Sequence, residues 1–289
     1  MTTRKTRRLW TSLTVAGALV PASGALALPD HTRADRFAIA HDPALSDLIH
    51  LAQGGEGGEG GEGGEGGGSN EGGELGFDAS KAATDPTVYS IGLEVIRAHY
   101  IAGLAAYADG DVLAGTEMFA HARSEAYVEL EPALTQLGMP EFDDLMQKTG
   151  DLALSKAPLA EVQAAATAVY SALDRAETKA PGAVTDAIKT AVFADLLDRA
   201  ALQYAKALQN ATGDAYLDGF GFFEAAKLRS AGVLAQLDVK QPEAAAAARE
   251  ALAALAAAYP SIKKPGNTAV KPGPSLVATS KFRLALSNR

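Results

Sequence analysis

Two histidines and two glutamates stand at spacings suited to holding a metal ion. His99 and His121 each lie 11 residues from Gly110, the centre of a turn between two helical stretches. In an antiparallel helical hairpin, positions equidistant from the turn sit at the same height, so the two imidazoles can meet across the seam. Glu117 and Glu125 flank His121 at i−4 and i+4. Four residues on an α-helix return to within about 40° of the same direction, so Glu117, His121 and Glu125 form one stripe.

Imidazole and carboxylate on facing helices are the ligands with which helical bundles hold iron, manganese or zinc. Glu117 and Glu125 are about 12 Å apart along the axis, so one ion takes His121 with one of them, joined by His99 and further ligands. Met118, about 60° from His121, adds a soft donor suited to Cu(I). Asp218 and Glu224, on a later helical stretch, are additional candidate ligands. Glu94 is a poorer partner for His99, because five residues turn an α-helix by about 140° from the starting direction. The expected cofactor is therefore a divalent or ferric ion, with iron ahead of copper and zinc.

The same residues admit a plainer reading. Phe119 lies about 160° from His121, so the Glu/His stripe can be a solvated face. His99 shares a face with Val88, Val95, Gly103 and Ala106 and can be a buried seam histidine. No catalytic set stands beside these groups. There is no cysteine, no placeable Ser/His/Asp arrangement, no phosphate loop and no dinucleotide fingerprint. The expectation is a binding protein rather than an enzyme.

The elements that must position these residues are helical. Alanine is abundant, aromatics make up 6% of the chain, and β-branched residues are scarce, a composition that favours helix. Asp85-Pro86 supplies an N-cap with proline at the first helical position, starting a helix that runs to Ala108. Asp109-Gly110-Asp111 is a turn. A second helix runs from Val112 towards Gly138, with Pro132 kinking or restarting it. Further helices are expected from Glu141 to Leu154, from Pro158 to Lys179, from the Ala180-Pro181-Gly182 break to Asn210, from Asp214 to Leu237, and from Pro242 to Ala258. About seven helices with short loops describe an all-α helical bundle over residues 85–259.

The ends differ from this middle. Arg4, Lys5, Arg7 and Arg8 precede an apolar run from Leu9 to Leu19, and Ala25-Leu26-Ala27 supplies small residues for cleavage, so 1–27 reads as a signal peptide. The run is shorter than the ~20 residues a membrane span needs. Cleavage after Ala27 moves the net charge from −9 to −13. Such an acidic chain has no general attraction for nucleic acid. An exported chain without cysteine suits a bacterial periplasm. Residues 28–84 carry His31, His41 and His50, then a Gly-Gly-Glu repeat, and read as an acidic disordered linker. Residues 260–289 hold four prolines and six basic residues without an acid. They read as a disordered basic tail, with an anionic partner or lipid as its sharper use.

The segment from His99 through Leu134, with His121, Glu125, Tyr127 and Leu130, resembles exported helical proteins of the imelysin-like kind, including periplasmic iron-uptake components. The resemblance covers about 40 residues and implies a helical bundle, a periplasmic place and a metal-related role, most often iron; an envelope transport or assembly protein is the expected partner beside the metal ion. That family places glutamate three residues after its histidine. Here Ala102 follows His99 and Ser124 follows His121 at that spacing, with Glu125 one place further on. The same stretch also resembles one tetratricopeptide unit, with Gly103, Gly110, Gly115, Phe119 and Ala122 near that repeat's small and aromatic positions. No second copy follows at ~34 residues. A metal-binding protein of iron or copper uptake and homeostasis is thus the first expectation, and a helical adaptor or scaffold of the cell envelope the second.

Overall fold

The computed structural model describes residues 77–209, 214–266 and 269–287, all within the unit Pro43–Arg289. The expected signal peptide, His31, His41, His50 and the Gly-Gly-Glu repeat lie outside the described residues. All regular structure among the described residues is helical, as composition requires. The segments are α1 (Pro86–Ala108), α2 (Val112–His121), α3 (Val128–Gln136), α4 (Asp143–Leu154), α5 (Leu159–Glu177), α6 (Asp186–Gln209), α7 (Asp214–Lys240), α8 (Pro242–Ala258) and α9 (Gly273–Ser287). A six-residue π turn, Ala122–Tyr127, joins α2 to α3, so residues 112–136 run as one helix. A short 3₁₀ turn, Ala79–Lys81, precedes α1.

α1 starts where the sequence places it, because the Asp85 carboxylate accepts from the Thr87 and Val88 amides and Pro86 needs no partner for a missing N–H. It is the central helix, packed on α2, α5, α6 and α7. It is buried on most of its surface, which is why apolar residues ring it rather than line one face. The α1–α2 hairpin turns at Gly110, whose φ of +93° suits glycine alone without strain. Its helices then cross with their backbones touching. A Cβ on Gly115 would stand 2.9 Å from the Gly103 carbonyl, and one on Gly103 would meet the Phe119 ring at 2.7 Å.

α6 and α7 form the second long hairpin, and α8 packs on α7. The interior is tied by charge as well as by packing. Glu94, 0% exposed, accepts from Arg97 at 2.9 Å and from Arg229 at 2.6 Å. Arg229 reaches on to Glu177, and Arg97 to Asp174. One network therefore clasps α1, α5 and α7. Burial works against the charge of Arg229, but the hydrogen bond and attraction of Glu94, with help from Glu177, hold its pKa above the ordinary value.

The tail departs from expectation. Residues 273–287 are not disordered: they form α9, which packs on α8 and α6. Pro272 and Pro274 fall at its start, where proline is tolerated, instead of in its interior. Ser275, Thr279 and Phe282 then recur on one face, and Phe282 is fully buried, edge-on to Phe193 at 5.7 Å. The basic residues expected to seek an anionic partner pair within the chain: Lys263 with Asp109, Lys281 with Glu250, and Arg283 with Asp198. Tyr204 and Tyr216 donate their hydroxyls to the Val270 and Ser261 carbonyls, fastening the connection between α8 and α9. No helix among the described residues is long and apolar enough to cross a membrane.

Candidate functional site

His99 is brought to a carboxylate, but by α7 rather than by its neighbours on α2. Its Nδ1 lies 2.8 Å from the Val95 carbonyl, one turn back on α1. A carbonyl only accepts, so Nδ1 carries the hydrogen. In the neutral ring, Nε2 is then a bare acceptor. That nitrogen points at Asp218 Oδ1, 3.4 Å away. Phe222 stands edge-on to the imidazole at 6.0 Å, and the Arg199 guanidinium lies over the Phe222 ring at 5.7 Å. The imidazole is thus held by a hydrogen bond and by an aromatic wall, with 4% of its surface exposed.

The sequence permits this approach through Gly221. A Cβ there would stand 2.3 Å from the Ala98 carbonyl oxygen, so only glycine allows the backbone of α7 to lie on α1 beside His99. Asp218, three residues before that contact, and Phe222, the residue after it, are thereby set against the imidazole.

Asp218 Oδ1 is sealed from solvent and has no hydrogen-bond partner. Its other oxygen lies at the edge of bonding range from Gln203 Nε2, at 3.5 Å. Burial holds the Asp218 carboxyl above the usual carboxylate range. His99 and then His121 pull it back down, while Glu125 and Asp214 push it further up. Both histidines and Glu125 therefore act electrostatically on one buried carboxylate. The π turn contributes here. Its i→i+5 bonding widens the turn around Glu125, so the α-helical angle of about 40° between His121 and Glu125 does not hold there.

The remaining candidates are placed elsewhere. Glu117 is exposed and lines a cleft of about 390 Å³ with Asp109, Asp111, Asp214 and Lys263. Met118 is fully buried. Glu224 is engaged by Lys227 at 2.7 Å. Glu94, the poorer partner for His99, belongs to the arginine network. Among the described residues, no group of three or more histidine, aspartate or glutamate side chains is arranged to hold a metal ion. What the fold assembles is a convergent pair, His99 and Asp218, with His121 and Glu125 beside it. The separation of that pair fits two ligands of one ion, since bonds of ~2.0–2.2 Å to a tetrahedral centre leave ligand atoms about 3.4 Å apart.

Asp218 is the partner that sequence spacing ranked too low. It is more than a hundred residues from His99, and the only local signal is the pair of glycines at 219 and 221 that lets α7 come close.

The chain is thus an all-α bundle with a buried imidazole–carboxylate pair at its centre. No family model, curated protein or solved structure matches it.

Proposed function

We propose that this is a periplasmic metal-binding protein, with iron as the first candidate ion and copper or zinc as alternatives. His99 and Asp218 anchor the ion, and His121 and Glu125 swing in to complete its coordination. One observation carries the reading. An imidazole nitrogen and a carboxylate oxygen converge at 3.4 Å in a buried site, and that oxygen has no other partner. Such an arrangement is costly unless a proton or a cation occupies the space between the lone pairs. Nitrogen and carboxylate oxygen together suit iron and zinc. The second histidine and second carboxylate supply the further ligands that the anchoring pair lacks.

The role is capture and delivery of the ion, in uptake or homeostasis. The bound ion supplies positive charge to the site, and His99 is already oriented for it by the Val95 carbonyl. Export by the leader at 1–27 and a net charge of −13 after its removal support a role in collecting cations outside the cytoplasm. Elemental analysis of the purified protein, followed by titration with iron, copper and zinc, tests this. One equivalent of metal is expected, bound about ten-fold or more weakly after His99→Ala or Asp218→Asn. Metal content untouched by both substitutions would overturn the proposal.

A further inference from the structure

Asp218 has two oxygens, and the fold treats them differently. Oδ1 faces His99 and has no hydrogen-bond partner. Oδ2 faces Gln203 on α6, whose side-chain nitrogen stands 3.5 Å away. Gln203 is the hydrogen-bond donor that the structure gives this carboxylate. With an ion bound, Asp218 is ionised and only accepts, so the glutamine turns its N–H towards it and its carbonyl away.

The packing of α6 on α7 keeps Gln203 in place. A Cβ on Gly219 would stand 3.0 Å from the Gln203 Cβ and would collide with the Tyr259 hydroxyl. Glycine therefore lets α6 lie against α7 at the residue next to Asp218. Tyr259 donates its hydroxyl to the Ala200 carbonyl at 2.7 Å, which pins α6 three residues before Gln203. Tyr204, the residue after Gln203, is fully buried. The backbone that carries Gln203 is thus fixed relative to Asp218.

A carboxylate binds an ion through one oxygen or through both. Calcium takes about six to eight oxygens, often both from one carboxylate, and manganese also favours oxygen. Zinc and iron favour imidazole nitrogen, and zinc takes four ligands. A hydrogen bond on Oδ2 occupies that oxygen and leaves Oδ1, beside His99 Nε2, for the ion. We infer that Gln203 is a positioning residue that holds Asp218 to one-oxygen coordination, and so makes the site select zinc or ferrous iron over manganese and calcium. This selectivity rests on the metal-binding reading of His99 and Asp218, and it names the class of ion that they take.

Competition titrations of the purified protein with zinc and manganese(II) test it. Gln203→Met keeps the length of the side chain and removes its donor. Zinc should bind about 10- to 100-fold more weakly to that variant, and manganese as tightly as before or more so. Gln203→Glu, of the same size, replaces the donor with a further oxygen ligand and should shift the preference the same way. Cobalt(II) reads coordination number by its visible bands. They should be intense, as for four ligands, in the wild type and weaker in Gln203→Met. A zinc-to-manganese preference unchanged in both variants would overturn the selectivity while leaving the metal site standing. So would an equal loss of both ions accompanied by a lower melting temperature, which would make Gln203 a packing residue only. A wild-type protein that binds none of the three ions would overturn the metal-binding reading, and the selectivity with it.

Discussion

Asp218 Oδ1 faces His99 Nε2 at 3.4 Å, while the other nitrogen of that imidazole is committed to the Val95 carbonyl. The consequence for the metal-free protein is a definite dependence on pH. Burial raises the Asp218 carboxyl above its unfolded value of 3.8, so the folded state holds this proton more tightly than the unfolded chain. The stabilising contribution is full below the unfolded value and is lost as pH rises through the folded one. Asp218→Asn removes that loss. Thermal melts between about pH 3.5 and 8 should show the wild type falling behind the variant as pH rises. Curves that stay parallel would show that the carboxylate is not penalised by its site.

The Glu94 network makes a second prediction. Arg229→Met leaves the buried Glu94 with Arg97 as its remaining guanidinium partner, and removing one partner of a buried pair costs about 3–5 kcal/mol. Arg229→Met combined with Glu94→Leu should recover part of that loss, because the stranded charge goes too. Urea unfolding of the wild type, the two single variants and the double variant measures both effects. A double variant as unstable as the sum of its parts would mean the network is not coupled.

Gly221 separates helix propensity from packing by sign. Alanine in place of a mid-helix glycine stabilises by up to ~1 kcal/mol where there is room. Here the added carbon would stand 2.3 Å from the Ala98 carbonyl, so Gly221→Ala should cost about 1–3 kcal/mol instead. It should also weaken metal binding, by moving Asp218 away from His99. A stabilised variant would show that α7 does not lie as closely on α1 as the structure has it.

The C-terminal helix is a structural element of the bundle. Phe282→Ala empties a site beside Phe193 and should cost about 3–5 kcal/mol. Lys281→Ala breaks only an exposed pair with Glu250 and should change stability by less than about 1 kcal/mol. Similar effects from both, read by chemical denaturation, would mean that α9 is not docked.

Much of the fold is legible because helix starts and stops are local chemistry. Asp85-Pro86 and Gln241-Pro242 begin helices, and α1 and α8 end at Ala108 and Ala258 as the turn residues beyond them require. The expected seven helices become eight among the described residues, because prolines at 272 and 274 read as disorder when their position at a helix start makes them harmless. Half of the site was legible as well. Spacing singled out His99, His121 and Glu125. The rest depends on long-range contact. The pairing of Asp218 with His99 is set by how closely α7 approaches α1, which no periodicity encodes. The π turn changes where Glu125 points, and an ideal α-helical wheel cannot show that. Glu117 was assigned from such a wheel, and it lines an exposed cleft instead.

The central claim is that His99 Nε2 and Asp218 hold one metal ion together. Nitrogen-15 NMR of the histidine side chains during a zinc titration tests it most directly, because it reads each imidazole nitrogen separately. The account predicts that the Nε2 resonance of His99 shifts and saturates at about one equivalent. It also predicts that Nδ1 keeps its proton and that Asp218→Asn abolishes the shift. An Nε2 resonance that stays in place throughout the titration, or moves equally in the asparagine variant, would contradict it.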